Sequence, residues 1–375
     1  MKKVFLIVGT RPDAIKMAPI ILKFKETNKY KPIVIATGQH RQMLDQVLEI
    51  FKIKIDYDLN IMKKNQTLDD ITINALSGLG KLMDKEKPSL VIVQGDTTTS
   101  FVGGLAAFYR KIPVAHVEAG LRTYDLYQPF PEEANRRLLD SISSLLFPPT
   151  EKAFENLIKE GIDKGKCIIT GNTAIDSLLY IKNMDKQIDI PELQNIDLNN
   201  RKIILITAHR RENFGRPFME FIEAIKTCAN EYKDIIFIYP VHLNPNVDNP
   251  VRQHLSNFKN VLLLKPLDYF NFIKLMDLST IILTDSGGVQ EEAPVLGKPI
   301  LVLRDVTERP EGVKAGASKI VGMHKEKIIN ELEKLLTDED EFNKMAEVRY
   351  IYGDGKAAEK IYNKVEEFLD ENSDA

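Results

Sequence analysis

The chain has 375 residues, too many for one hydrophobic core to be the default, so two domains are expected. A formal net charge of −3 excludes the broad basic face of a nucleic-acid binder, and the hydrophobic fraction of 43% is that of an ordinary globular protein. The only cysteines, Cys167 and Cys228, have no metal-ligand spacing and read as reduced core thiols of a cytoplasmic protein.

The opening "MKKVFLIVGTRPD" carries an apolar run that stops too early for a secretion signal and fits a first β-strand. No later run approaches membrane-spanning length. Short β-rich apolar segments then alternate with helical patterns, the mark of βαβ units and parallel sheets. The strands of the first half are "KVFLIVG", "KPIVIATG", "SLVIVQGD", "IPVAHVEAG" and "CIITGN", with helices such as "MAPIILKFKET" and "TTTSFVGGLAAFYRK" between them. From 181 to 200 the sequence turns polar and aperiodic, which places a domain link there. A second series follows: "RKIILITAH", "DIIFIYPVH", "NVLLLKP", "STIILTD" and "KPILVLRD". The fold class expected is α/β, with two doubly wound Rossmann-like domains, 1–180 and 181–356. A final helix in 357–375 carries Ala358, Ile361, Tyr362, Val365, Phe368 and Leu369 on one stripe, against a partner surface the sequence does not reveal.

Open α/β sheets bind ligands outside the carboxyl ends of their strands, and here those ends are rich in polar groups. The first strand is followed by Arg11 and Lys16, and the third by Asp96. "IPVAHVEAG" delivers His116 and Glu118 on one side by its period of two, with Arg122 beyond the turn. In the second half His209, Arg210, Arg211 and His242 occupy comparable places. Taken singly, each has a structural reading: a helix cap for Asp96, a core-satisfied histidine for His116, a solvated face for Arg210 and Arg211. Their accumulation points to a ligand site. "TDSGGVQEEAPVLGK" adds a strand, a two-glycine turn and a helix start, where backbone N–H groups suit an anion such as phosphate. The spacing G-x-G-x-x-G, the Walker sequence, H-E-x-x-H and G-x-S-x-G are all missing, so no seat for NAD, ATP or a metal is read and no cofactor is expected.

The stretches "GTRPDAIKMAP", "GQHRQMLDQVL", "GDTTTS", "HVEAGLRT", "PFPEEANRR", "AHRRENFG", "YPVHLNPNV", "TDSGGVQEEAPVLGKP", "RDVTERPEGVKAG" and "YGDGKA", in this order from residue 9 to 357, resemble the non-hydrolysing UDP-N-acetylglucosamine 2-epimerases. That resemblance implies the glycosyltransferase-B arrangement of two Rossmann-like domains. It implies reversible C2 epimerisation of UDP-GlcNAc to UDP-ManNAc through loss of UDP, a 2-acetamidoglucal and re-addition. Asp96, Glu118 and Glu132, with His209, would be catalytic. UDP would lie on Ser286, Gly287 and Gly288, on a helix starting near Val289, with Arg11, Lys16 and His209 nearby. Glu292 would take the ribose hydroxyls, Phe272 would pack against uracil unless it is a core residue of its helix, and Arg309 would complete the site. Repulsion among the carboxylates should raise at least one pKa unless Arg122 or His209 offsets it. A second, regulatory nucleotide sugar would use Gln39, Gln42, Glu132, Arg210 and His242, although Asn65 stands where relatives can carry an arginine. The resemblance also implies a homodimer with UDP-GlcNAc, UDP-ManNAc and UDP as its small-molecule partners. A glycosyltransferase of the same fold, a hydrolysing epimerase and a silent nucleotide-sugar sensor are the competing readings.

Overall fold

The computed structural model describes all residues except 39–40, 62–65, 195, 199 and 373–375, with backbone alone for 41–43. The chain divides into two compact units, Met1–Leu179 with Tyr352–Ala375, and Tyr180–Ile351. The polar segment 181–200 therefore belongs to the second unit, and the chain returns to the first at Tyr352.

In the first unit the strands are β1 (Lys3–Val8), β2 (Lys31–Ala36), β3 (Tyr57–Asp58), β4 (Leu90–Gln94), β5 (Val114–Val117) and β6 (Leu145–Phe147). They form one parallel sheet in the order β3-β2-β1-β4-β5-β6. Phe5 and Ile7 of β1, Ile33 and Ile35 of β2 and Val91 and Val93 of β4 share one core with the helices Leu68–Glu86, Thr98–Phe108 and Glu132–Ile142. The intervening Val4, Leu6 and Val8 are buried as well, because helices cover the other face too. Burial on both faces is why these strands read as unbroken apolar runs rather than alternating ones.

One expectation needs correction. "CIITGN" is not a strand: Cys167 makes a single bridge to Leu146, and the residues after it run as irregular chain. The sixth strand is instead Leu145–Phe147, three residues ended by Pro148 and Pro149, whose missing N–H groups cannot extend a ladder.

The second unit contains β7 (Ile203–Thr207), β8 (Ile236–Pro240), β9 (Val261–Leu264), β10 (Ile281–Thr284), β11 (Ile300–Val302) and β12 (Ser318–Ile320). Its parallel order is β12-β11-β10-β7-β8-β9. Its core packs Ile204, Ile206, Phe237 and Leu283 against Phe218, Phe221 and Ile225 of the helix Arg216–Glu231 and Ile328 and Leu332 of Lys325–Thr337. The pairing of Thr284 with Thr207 brings the ends of β10 and β7 side by side.

The last helix, Ala357–Glu371, lies on the helix Arg11–Thr27 of the first unit. Tyr362 meets Phe24 edge to face with ring centroids 4.9 Å apart. The buried Asp176 carboxylate accepts the N–H groups of Ala357 and Ala358 at 3.3 and 2.8 Å, satisfying two donors that a helix start leaves open. Phe368, placed on the same stripe by periodicity, is only half-buried. Because Tyr362 is 4% exposed, Tyr362→Ala should cost about 3 kcal/mol and lower the urea midpoint. Tyr362→Phe keeps the packing and gives up only a 3.4 Å contact to Glu366, so its unfolding free energy should stay within about 0.5 kcal/mol of the parent.

Candidate active site

In the first unit the polar groups gather beyond the carboxyl ends of β1, β4 and β5. Thr10 caps the helix Arg11–Thr27: its hydroxyl accepts from Asp13 N while the Asp13 carboxylate accepts from Thr10 N. Arg11, in the first turn, is half-buried. Gly9 permits this turn to sit against the helix Thr98–Phe108, since a Cβ there would come within 2.8 Å of Thr99. Burial pushes the Asp13 carboxyl up to about 6, against the hydrogen bonds from Thr10 and the charge of Lys16.

Lys16 projects from the same helix to the Glu118 carboxylate, with Nζ 2.7 and 2.5 Å from its two oxygens. Glu118 also accepts from the Gln94 side-chain amide and, at 3.5 Å, from Asn172 Nδ2. Its backbone is left-handed, φ +66°, an uncommon state for a residue with a Cβ. Its amide is fixed by a 3.0 Å bond to the Phe147 carbonyl on the neighbouring strand. Such strain persists where surrounding contacts over-determine it.

Asp96 follows β4 and pairs with Arg136 at 2.9 Å. Its carboxyl lies above the ordinary range chiefly through burial; Arg136 and Lys16 oppose this, while Glu118 and Glu132 add to it. The three carboxylates expected from the sequence are thus electrostatic neighbours. Glu132 begins the helix Glu132–Ile142, where a negative charge suits the helix dipole. The cations that offset them are Lys16 and Arg136, while Arg122, named with His209 as a possible offset, is engaged elsewhere. Arg122 is held 2.7 Å from Asp140 and 2.8 and 2.9 Å from Glu160.

His116 is a core histidine with both ring nitrogens engaged: Nδ1 lies 2.6 Å from Asp140 and Nε2 2.8 Å from the Gly95 carbonyl. Asp140 also accepts from Gly120 N at 3.2 Å. Burial acts to raise the Asp140 carboxyl, but His116 and Arg122 together hold it below the usual range. This network ties the backbone just before Asp96 to that just after Glu118, so it bears on the carboxylates by holding their chain.

In the second unit, His209 follows β7 and His242 follows β8, and their rings stack at 5.4 Å and 10°. Arg210 and His209 give their amides to Asp285, which follows β10. Ser286 precedes the helix Gly287–Glu292, which starts two residues earlier than the expected Val289 because both glycines adopt helical backbone. Neither glycine has a left-handed φ, and a Cβ at either would meet no atom closer than 3.8 Å. Neither a left-handed backbone nor packing within this unit requires a glycine at either position.

Glu292 accepts from the Tyr269 hydroxyl at 3.1 Å. Arg309 pairs with Glu291 and donates to the Glu308 carbonyl at 3.1 Å. Phe272 is half-buried on the helix Tyr269–Leu278. Burial lowers the His209 pKa, with Asp285 opposing and His242 and Arg210 assisting.

Gln39 and Asn65 lie outside the described residues, as does the side chain of Gln42. Sequence reasoning passed over Gln94, Arg136, Asp140, Tyr269 and Asp285. Arg136 lies within the quoted "PFPEEANRR" and Asp285 within "TDSGG", but pairing across elements carries no signature in a linear pattern. Among the described residues no cluster of three or more His, Cys, Asp or Glu side chains could hold a metal ion, and no helix is long and apolar enough to cross a membrane.

Comparison with known proteins gives one consistent result. The family model for UDP-N-acetylglucosamine 2-epimerase matches residues 22–366. The UDP-N-acetylglucosamine 2-epimerase of Campylobacter jejuni is 54% identical over 372 residues, covering 97% of each chain. That of Escherichia coli K12 is 48% identical over 366 residues, covering 96% of this chain and 97% of the other. The crystal structure of the Neisseria meningitidis enzyme bound to UDP-GlcNAc superposes with a TM-score of 0.87 at 50% identity, covering 97% of this chain and 100% of that one. A Methanocaldococcus jannaschii epimerase in complex with UDP-GlcNAc and UDP gives 0.76 at 36% identity, covering 97% and 99%. With both sheets, their helices and almost the full length matched, the chain belongs to the UDP-N-acetylglucosamine 2-epimerase family, with its glycosyltransferase-B-like α/β fold.

Proposed function

We propose that this enzyme interconverts UDP-GlcNAc and UDP-ManNAc by eliminating UDP to give 2-acetamidoglucal and adding it back after a proton has arrived on the opposite face of C2. The observation that carries this reading is the grouping of Asp96, Glu118 and Glu132 with Lys16 and Arg136 at the strand ends of the first unit. C2 of the substrate bears nitrogen and no hydroxyl, so oxidation in place is not open to it. Its hydrogen becomes removable when UDP departs from C1 and positive charge develops beside it. Inversion then needs proton-transfer groups on both faces, and three carboxylates in one electrostatic neighbourhood supply them. The raised pKa of Asp96 brings it closer to the range in which a carboxyl can both hold and release a proton.

Departure of UDP needs positive or hydrogen-bonding groups at the diphosphate. That role falls to Arg11, the Ser286–Gly288 turn, Arg309 and His209, with Glu292 on the ribose hydroxyls and Phe272 against uracil. Tyr269, donating to Glu292, would fix the carboxylate for the ribose. The relatives whose structures contain UDP-GlcNAc or UDP support this choice of ligand.

Incubation with UDP-GlcNAc in deuterated water, followed by proton NMR, tests the reaction. The H2 signal should disappear as a mixture of the two UDP-sugars forms. Retention of protium at C2 in newly made UDP-ManNAc would rule out elimination, and stoichiometric free ManNAc would mean hydrolysis instead.

Substitutions should separate binding from chemistry. Asp96→Asn and Glu118→Gln should each lower kcat by roughly 10²-fold or more while sparing UDP affinity. Arg11→Ala and Glu292→Ala should weaken UDP binding itself. Carboxylate variants that lose UDP binding yet keep full turnover at saturation would reverse these assignments.

The pairing of Asp96 with Arg136 yields a prediction in pH. Burial is the main influence lifting the Asp96 carboxyl, and Arg136 is the main one opposing it. Arg136→Met should therefore let its pKa rise further. The limb of the kcat profile governed by Asp96 should move to higher pH; an unmoved limb would show that Asp96 does not control it.

A further inference from the structure

Asp285 is fully buried at the carboxyl end of β10, and its two oxygens face different things. Oδ2 accepts the amides of His209 and Arg210, both at 2.7 Å, and lies 3.4 Å from Asn213 Nδ2. Oδ1 is buried and takes no hydrogen bond, yet it sits 3.4 Å from Nδ1 of the His209 ring. A backbone clamp would need only one oxygen. A buried carboxylate oxygen that takes no hydrogen bond is costly, so its persistence beside an imidazole nitrogen calls for a use.

We propose that Asp285 is a positioning residue for His209: Oδ2 locks the 209–213 backbone, while Oδ1 places the ring proton on Nδ1 and leaves Nε2, on the far side of the ring, to meet the ligand. A carboxylate behind an imidazole selects the tautomer and orients the ring. His242 stacked flat against the same ring limits its rotation. The His209 side chain is 39% exposed. Apo contacts of this kind are often long and tighten when the ligand arrives. When negative charge gathers on the departing diphosphate, the Nε2 lone pair takes up a proton from solvent water, and the resulting imidazolium donates Nε2–H to that charge while Nδ1 keeps its own proton. Asp285 meanwhile balances the charge on the ring, with Arg210 and His242 as the other titratable or charged groups around it.

This inference rests on the reading that His209 serves UDP departure, and the experiment separates the two. In ligand-free protein labelled with ¹⁵N-histidine, and assigned by His209→Gln, the neutral His209 ring should show the Nδ1–H tautomer. An Nε2–H tautomer in the unsubstituted protein overturns the proposal without any variant. Asp285→Asn retains a carbonyl oxygen for the two amides but turns an NH2 toward the ring. The tautomer should then shift to Nε2–H and the ring pKa should fall, because an anion that favours the charged ring is gone. The kcat should drop by roughly 10²-fold or more, with UDP affinity changed far less. Unchanged His209 signals in Asp285→Asn overturn the pairing. Altered signals with full kcat uphold the pairing and remove His209 from the chemistry.

Discussion

The matching of buried carboxylates at the open ends of the two sheets is the constraint on which the rest of the site depends. Taking an ion out of water costs several kcal/mol, and a partner 4 Å away returns about 4 kcal/mol at an effective dielectric of 20, so such groups sit near balance. The chain matches each by a different means. Glu118 has Lys16 and the Gln94 amide, Asp96 has Arg136, Asp140 has His116 and Arg122, and Asp285 has two backbone N–H groups. Different matching gives one functional group different proton affinities. Asp140 is held low and stays a fixed anion, while Asp13 and Asp96 are lifted. Of the lifted groups, Asp96 follows a central strand with its side chain 30% exposed, whereas Asp13 is buried within the cap of its helix.

The two sheets have the same order when each is numbered from its own first strand, and the direction of winding reverses between β1 and β4 in one and between β7 and β10 in the other. Reversal opens a crevice at the carboxyl ends, the usual ligand position for such sheets. In the first unit that crevice is flanked by Thr10 and Asp96 and is anionic, tempered by Lys16. In the second it is flanked by His209 and Ser286, backed by Asp285, and presents amide N–H and imidazole groups. The same backbone solution is therefore loaded with opposite chemistry.

How far the sequence reveals this follows from what each feature depends on. The long strands were legible because burial on both faces turns them into continuous apolar runs, as in "KVFLIV" and "IILIT". Three of the four edge strands were not: Tyr57–Asp58, Leu145–Phe147 and Ser318–Ile320 are two or three residues long and carry no period, whereas the longer edge strand Val261–Leu264 was read from "NVLLLKP". "CIITGN" has the right residues for a strand but makes only one bridge, since tertiary context overrides β propensity. The carboxylates were legible through their motifs, whereas their partners were not. Arg122 is adjacent to "HVEAG" in sequence yet belongs to Asp140 and Glu160, and the cation beside Asp96 is Arg136, forty residues along.

Two histidines show where that limit lies. His116 and His209 both accompany a strand that ends among polar residues, and nothing in their local sequence separates a core histidine from a reactive one. Their surroundings do. His116 is wholly buried, with one nitrogen on Asp140 and the other on the Gly95 carbonyl, so it has no edge left for a ligand. His209 turns Nδ1 toward Asp285, stacks one face on His242 and keeps part of its ring exposed. What distinguishes them is the number of nitrogens the fold leaves uncommitted. That number is set by residues contributed from other strands and helices, Asp140 and Gly95 in one case and Asp285 in the other. Chemistry at these strand ends is thus assigned by pairing across the sheet, after the residue type has already been fixed.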